Sequence, residues 1–178
     1  RPSITFLSAK GIPLATYGDH HSGPVRFNEV PPHLIQAIIA TEDRRFFDHF
    51  GVDGIGIIRA TFANLRAGAL RQGGSTLTQQ LAKNLFLSSE RTFRRKIQEL
   101  ILSFWLESKF TKEQIFTIYL NRVYLGAGNF GFGAAAKYYF GKSIKKISLR
   151  EASILTGLLK APSRYSPNRS KDVALDRG

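Results

Sequence analysis

Glu42 and Asp43 stand in ATEDRRFFDHFGVD, residues 40–53, at the end of an apolar run and ahead of two arginines and several aromatics. The preceding PPHLIQAIIATED reads as a helix starting near Pro31, since proline is tolerated in a first helical turn. On that helix Ile35, Ile38, Ile39 and Glu42 fall at i, i+3, i+4 and i+7, which is one face. A carboxylate on the face due for burial is either paired with Arg45 or another cation, or kept for chemistry. This stretch alone leaves both readings open.

A second constellation is GGSTLTQQLAKN, residues 73–84. On a helix Thr76, Gln80 and Lys83 share one stripe, and Leu77, Leu81 and Leu85 lie opposite. A solvated face usually carries Glu and Lys. Hydroxyls, amides and one lysine fit a substrate wall better than an ordinary capped amphipathic helix. Ser75 and the N–H groups after the two glycines would sit at a helix N-terminus, which favours anions. In ERTFRRKIQE, residues 90–99, Arg91, Arg95 and Glu99 are spaced i, i+4 and i+8, with Lys96 three before Glu99. Alone this is a solvated face laced with ion pairs. Beside the Ser/Thr/Gln helix and Glu42, it suggests a cleft for a phosphate group and a second carboxylate.

The elements that must position these residues are mostly helical. Residues 1–30 hold short apolar runs broken by Gly, Pro and His, the pattern of an extended segment or small hairpin. From Pro31 the signals turn helical. Asp53 is placed to cap GIGIIRATFANLRAG, and Ser88 or Ser89 precedes a long helix over roughly 90–109 with Phe93, Ile97, Leu100, Ile101 and Phe104 on its apolar side. Thr111 with Gln114, and Ser148 with Glu151, form capping-box patterns that open two more helices, the second ending before Pro162. The expected division is an extended segment 1–30, a helical domain 31–162 and a linker 163–178.

Composition narrows the function. A chain of 178 residues, 43% hydrophobic, can bury a real core, as one domain or two lobes about a common cleft. The net charge of +13 implies an anionic partner: nucleic acid, a membrane surface or a phosphorylated substrate. No cysteine excludes disulfide and thiolate chemistry, and no apolar run reaches the ~18 residues of a bilayer span. The chain begins at Arg1 and has no methionine, as expected of a fragment or processed form whose anchor has been removed. GAGNFG, residues 126–131, matches a dinucleotide fingerprint but follows a capped helix rather than a strand, so a bend between helices is expected. His20, His21, His33 and His49 lack metal-ligand spacing, and His49 reads as a hydrogen-bonded structural residue.

Taken in order, the motifs resemble those of the peptidoglycan glycosyltransferases, found in class A penicillin-binding proteins and in monofunctional transglycosylases. EDRRFFDHFG at 42–51, GGSTLTQQ at 73–80, RKIQE at 95–99, KEQIFTIYLN at 112–121 and REASILTGLLKAPSRYSP at 150–167 follow that family's five motifs across most of the chain. Phe116 replaces the usual leucine of the fourth.

The resemblance implies a mainly α, lysozyme-like two-lobed fold and polymerisation of lipid II. In that reaction the 4-hydroxyl of an acceptor sugar attacks the anomeric carbon of the growing chain, with inversion and loss of undecaprenyl pyrophosphate. Glu42 matches the family's base, and Glu99 its second glutamate. Lys83, Arg91 and Lys96 match its phosphate-binding positions. Asp43, Ser75, Thr76, Gln79, Gln80, Asn84 and Arg95 would belong to the substrate cleft. No cofactor is required by the sequence, although Mg or Mn could bridge the diphosphate. The family also implies work at the outer, periplasmic face of the cytoplasmic membrane, on lipid II and the growing glycan chain, with a transpeptidase domain as an expected neighbour after the linker. The segment RATFANLRAGALR, residues 59–71, would lay Phe62, Leu65 and Leu70 into the membrane surface.

Two competing readings predict different products. A muramidase or lytic transglycosylase shares the fold and one glutamate but has no use for cations around a phosphate. A nucleic-acid module would explain the charge, yet the aromatics follow core periodicity and form no stacking platform, so no nucleic-acid partner is expected.

Overall fold

The computed structural model describes residues 4–8, 13–17, 20–21, 23–69, 73–87 and 92–160. The fold is mainly α: seven α-helices and four short strands among these residues. The chain forms two compact units, residues 1–37 with 120–178, and residues 38–119.

In the first unit β1 (Ile4–Leu7) pairs antiparallel with β2 (Pro13–Tyr17), Ile4 opposite Tyr17. β3 (His20–His21) runs parallel to β4 (Asn129–Phe130), which the GAGNFG segment delivers. Asn121 ties the N-terminal part of this unit to its later part, accepting from the Val25 N–H and donating to the Val25 carbonyl, both at 2.8 Å. A side-chain amide thus supplies what a neighbouring strand would.

GAGNFG is a turn leading into a helix and not a phosphate loop within a βαβ unit. α6 (Phe132–Phe140) starts directly after Gly131. Gly131 has φ +85° and ψ 151°, a region essentially reserved for glycine. A Cβ there would lie 2.9 Å from the Asn121 carbonyl oxygen. Gly131→Ala is therefore expected to destabilise the fold by about 1–3 kcal/mol or more, read as a lower urea midpoint. An unchanged midpoint would contradict the geometry.

α7 (Leu149–Lys160) closes this unit. Its capping box forms as the sequence predicts, Ser148 N–H to Glu151 Oε2 at 2.7 Å and Glu151 N–H to Ser148 Oγ at 3.3 Å. Phe132, Ala135, Ala136, Ala152, Leu155 and Leu158 are fully buried.

The second unit begins within α1 (Pro32–Glu42) and ends within α5 (Lys112–Arg122), between which lie α2 (Gly54–Ala67), α3 (Leu77–Phe86) and α4 (Phe93–Lys109). α3 packs on α4. Leu77, Leu81 and Leu106 have essentially no exposed surface, each contributing on the order of 1.5–3 kcal/mol by burial. The box at Thr111 and Gln114 forms as predicted.

Three local expectations need correction. α4 begins at Phe93, capped by the Thr92 hydroxyl, which accepts from the Arg95 N–H at 3.2 Å; Ser88 and Ser89 lie outside the described residues. Its buried face is Glu99, Ser103 and Leu106, whereas Phe93, Ile97, Ile101 and Phe104 are exposed. Periodicity shows that a helix has an apolar face; it does not show which face its neighbours cover. Asp53 stands at the N-cap of α2 but its carboxylate makes no cap bond and faces Arg45 at 3.4 Å instead.

Candidate active site

Glu42 is the last residue of α1, and Gln80 lies in the first turns of α3. Gln80 Nε2 donates to Glu42 Oε2 at 2.9 Å. Glu42 Oε1 is buried and has no hydrogen-bond partner among the described residues. The pairing of Glu42 with Arg45 allowed by the sequence is not formed, because Arg45 is drawn to Asp53. One carboxylate oxygen is thereby oriented and the other keeps free lone pairs. That division suits a group that must accept a proton from a positioned hydroxyl.

The next residue does a different job. The side chain of Asp43 is almost fully buried; both of its oxygens lie 3.0 Å from His49 Nε2, and Oδ2 also accepts the Leu77 N–H at 3.0 Å. Asp43 thus fixes the start of α3 from the loop after α1, and His49 is the structural residue the sequence suggested. Phe46, stacked edge-on to the His49 ring, is fully buried in the same unit.

Three N–H groups at the start of α3 are taken up by side chains of the same unit. The Thr76 N–H goes to Gln79 Oε1 at 3.2 Å, the Gln79 N–H to Thr76 Oγ1 at 3.2 Å, and the Leu77 N–H to Asp43. Thr76 Oγ1 itself donates to the Gly51 carbonyl at 2.6 Å. These donors satisfy the helix end internally, and Asp43 already supplies the negative charge that the helix dipole favours.

Cations are available close by. The side chain of Glu99 is 4% exposed and contacts Arg95 Nε at 3.1 Å and Lys96 Nζ at 2.9 Å. Lys96 remains half exposed, and its Nζ lies 3.4 Å from Ser75 Oγ. A buried carboxylate therefore holds a lysine head at a fixed, solvent-reachable position beside α3. Behind it, Thr78 Oγ1 donates to Glu107 at 2.6 Å and Lys112 Nζ reaches the same oxygen at 2.7 Å. This bridge fastens α3 to α4 and to the start of α5.

Residues 10–178 match the family model described as Transglycosylase. The chain belongs to the transglycosylase family. It is 49% identical over 95% of its length to penicillin-binding protein 1A of Aquifex aeolicus, and 48% identical over 98% to that of Escherichia coli. It spans 23% and 20% of those two proteins, about a fifth of the length of these relatives. The crystal structure of penicillin-binding protein 1A from Haemophilus influenzae superposes over 99% of this chain and 17% of its own, with TM-score 0.55 at 23% identity, which speaks to the fold.

Within the transglycosylase domain, the structure brings Glu42, Asp43 and Gln80 together, and Ser75, Gln79, Arg95, Lys96 and Glu99 into a second connected group. Thr76 and Gln79 are buried and engaged in the capping box. Lys83 is partly exposed on α3 and Asn84 exposed beside it. Arg91 and Leu70 lie outside the described residues. Phe62 and Leu65 are 69% and 74% exposed. Sequence reasoning missed Tyr119, which is fully buried with its hydroxyl 3.4 Å from Gln80 Oε1. Its signal was a polar-tipped aromatic sharing the apolar face of α5 with Ile115 and Phe116.

Proposed function

We propose that this domain polymerises lipid II, with Glu42 as the general base. The observation that carries this reading is the Glu42 carboxylate, with Oε2 bound by Gln80 and Oε1 buried and unpartnered. A sugar 4-hydroxyl is a weak nucleophile until a positioned base takes its proton as the new bond forms. Glu42 Oε1 accepts that proton, the oxygen attacks the anomeric carbon of the growing chain from the face opposite the leaving group, and the configuration inverts. The bond to lipid pyrophosphate breaks with both electrons. The leaving group departs as a delocalised anion, so cations can serve where a proton donor would otherwise be needed. Lys83, Arg91 and the Glu99-held Lys96 take that role, with Arg95 helping to hold Glu99.

A divalent cation would find no cage here: no group of three His, Cys, Asp or Glu suited to a metal occurs among the described residues. Any such ion would be held chiefly by phosphate oxygens, and no step above depends on it.

The polymer grows at the outer face of the cytoplasmic membrane, where the lipid tail of the substrate stays anchored. No described helix is long and apolar enough to cross a membrane. α2 instead offers Ile55, Ile58, Phe62 and Leu65 as exposed apolar side chains, together with exposed Arg59 and Arg66. This is the mix that enters a headgroup boundary while pairing with lipid phosphates. Phe62→Ser with Leu65→Ser is expected to cut binding to anionic vesicles severalfold or more while leaving the melting temperature unchanged. Undiminished vesicle binding would contradict the assignment. A transpeptidase domain carried by the longer polypeptide would then crosslink the strands made here.

The reaction class is tested by product analysis with lipid II and with preformed peptidoglycan. Glycan chains that lengthen with stoichiometric release of undecaprenyl pyrophosphate are expected. Cleavage of preformed strands without chain growth would replace this reading by a muramidase.

A further inference from the structure

Tyr119 belongs to no step derived above, yet it is fully buried in α5 and its hydroxyl meets the side chain that binds Glu42. Its hydroxyl lies 3.4 Å from Gln80 Oε1, and Gln80 Nε2 lies 2.9 Å from Glu42 Oε2. The three side chains come from three helices, α5, α3 and α1. The Tyr–Gln contact is long for an O–H···O bond, but a buried hydroxyl left without an acceptor is costly. This contact gives it one.

A glutamine amide has one donor end and one acceptor end, so its orientation carries information. With its NH2 toward Glu42, Gln80 stabilises the carboxylate. Turned over, its carbonyl would face Glu42 and would favour the protonated acid, which could then donate to it. A hydroxyl donor at the far end selects between the two, because it bonds the carbonyl and leaves the NH2 for Glu42.

We propose that Tyr119 is a positioning residue that, through Gln80, holds Glu42 in its ionised, proton-accepting form. The inference rests on the reading of Glu42 as base. Burial first, and then the negative charge of Glu42, raise the Tyr119 hydroxyl well above its ordinary range. It therefore stays protonated at working pH and remains a donor throughout. From the neighbouring helices, Gln80 on α3 bonds Glu42, and the titratable Tyr119 on α5 lies near enough to feel its charge. Glu42 Oε1 takes no part in the relay, which leaves it free for the acceptor hydroxyl.

The test is the pH profile of lipid II polymerisation by wild type, Tyr119→Phe and Glu42→Gln in the same membrane-mimetic detergent. Tyr119→Phe is expected to keep KM within about twofold. Its kcat at neutral pH should fall by roughly two- to tenfold, the scale of one buried hydrogen bond. Its acid limb should move to higher pH, since the carboxylate loses its bias. A 3-fluorotyrosine at position 119, a stronger donor of nearly the same size, should move the limb the other way. A purely structural Tyr119 would lower the melting temperature without moving the limb. If the limb stays in place in Tyr119→Phe, or in the fluorotyrosine protein should Tyr119→Phe not fold, the relay is wrong. If Glu42→Gln keeps wild-type activity and its acid limb, the base assignment itself has failed.

Discussion

Glu42→Gln is expected to fold with an unchanged melting temperature and to lose roughly 10²–10⁴-fold in polymerisation rate, the usual scale of general-base catalysis. The substitution keeps the size of the side chain and replaces one carboxylate oxygen by an amide nitrogen. Gln80 Nε2 can still donate to the amide oxygen of the new side chain, so little stability is at stake. What is lost is the lone pair that would take the proton from the acceptor hydroxyl. Binding of lipid II should persist, because the cations assigned to the pyrophosphate are untouched. The loss should therefore appear in kcat more than in KM. A variant with near-normal kcat would remove Glu42 from the chemistry and leave it a buried carboxylate satisfied by Gln80.

The second large effect should come from the cations. Lys96→Ala and Lys83→Ala are each expected to lower kcat/KM by roughly 10²–10³-fold, comparable to deleting one preorganised group from a charge-stabilising site. Lys96 is the clearer case. Its head is half exposed, yet a nearly buried glutamate holds it 2.9 Å away. Removing it leaves Glu99 with Arg95 at 3.1 Å, so the fold should lose only about 1 kcal/mol, given how exposed the lysine is. Arg91→Ala, assigned by motif alone, should act in the same direction. Measured with lipid II, the loss should fall on use of the pyrophosphate-bearing donor. A lower melting temperature with normal activity per folded molecule would make these residues structural.

How much of this was legible in the sequence depended on the range of the contacts. The boxes at Thr111 with Gln114 and Ser148 with Glu151 span three residues, so composition and spacing sufficed to read them. The apolar run before Glu42 likewise placed the carboxylate at the end of a helix with Leu34 and Ile38 buried on it. The partner of Glu42 was not legible, since Gln80 is 38 positions away and Arg45 is only three. Proximity in sequence favoured the arginine; the fold gave it to Asp53. The hold of Asp43 on the start of α3 was hidden for the same reason, because Asp43 reaches Leu77 across 34 positions. The reversed burial of α4 shows another limit. Its Phe and Ile stripe is strongly apolar, but the buried face is Glu99, Ser103 and Leu106. The stripe stays exposed among the described residues. The family resemblance supplied the roles of Glu42, Glu99 and the lysines, which spacing alone left open.

The most direct test of Glu42 as the base is the pH dependence of kcat/KM for chain growth in wild type and in Glu42→Gln. A carboxylate base works while ionised, so wild-type activity should hold at higher pH and fall as acid protonates Glu42. In Glu42→Gln the residual rate should be low and should lose that acid limb. The same acid limb at comparable activity in the variant would show that another group takes the proton.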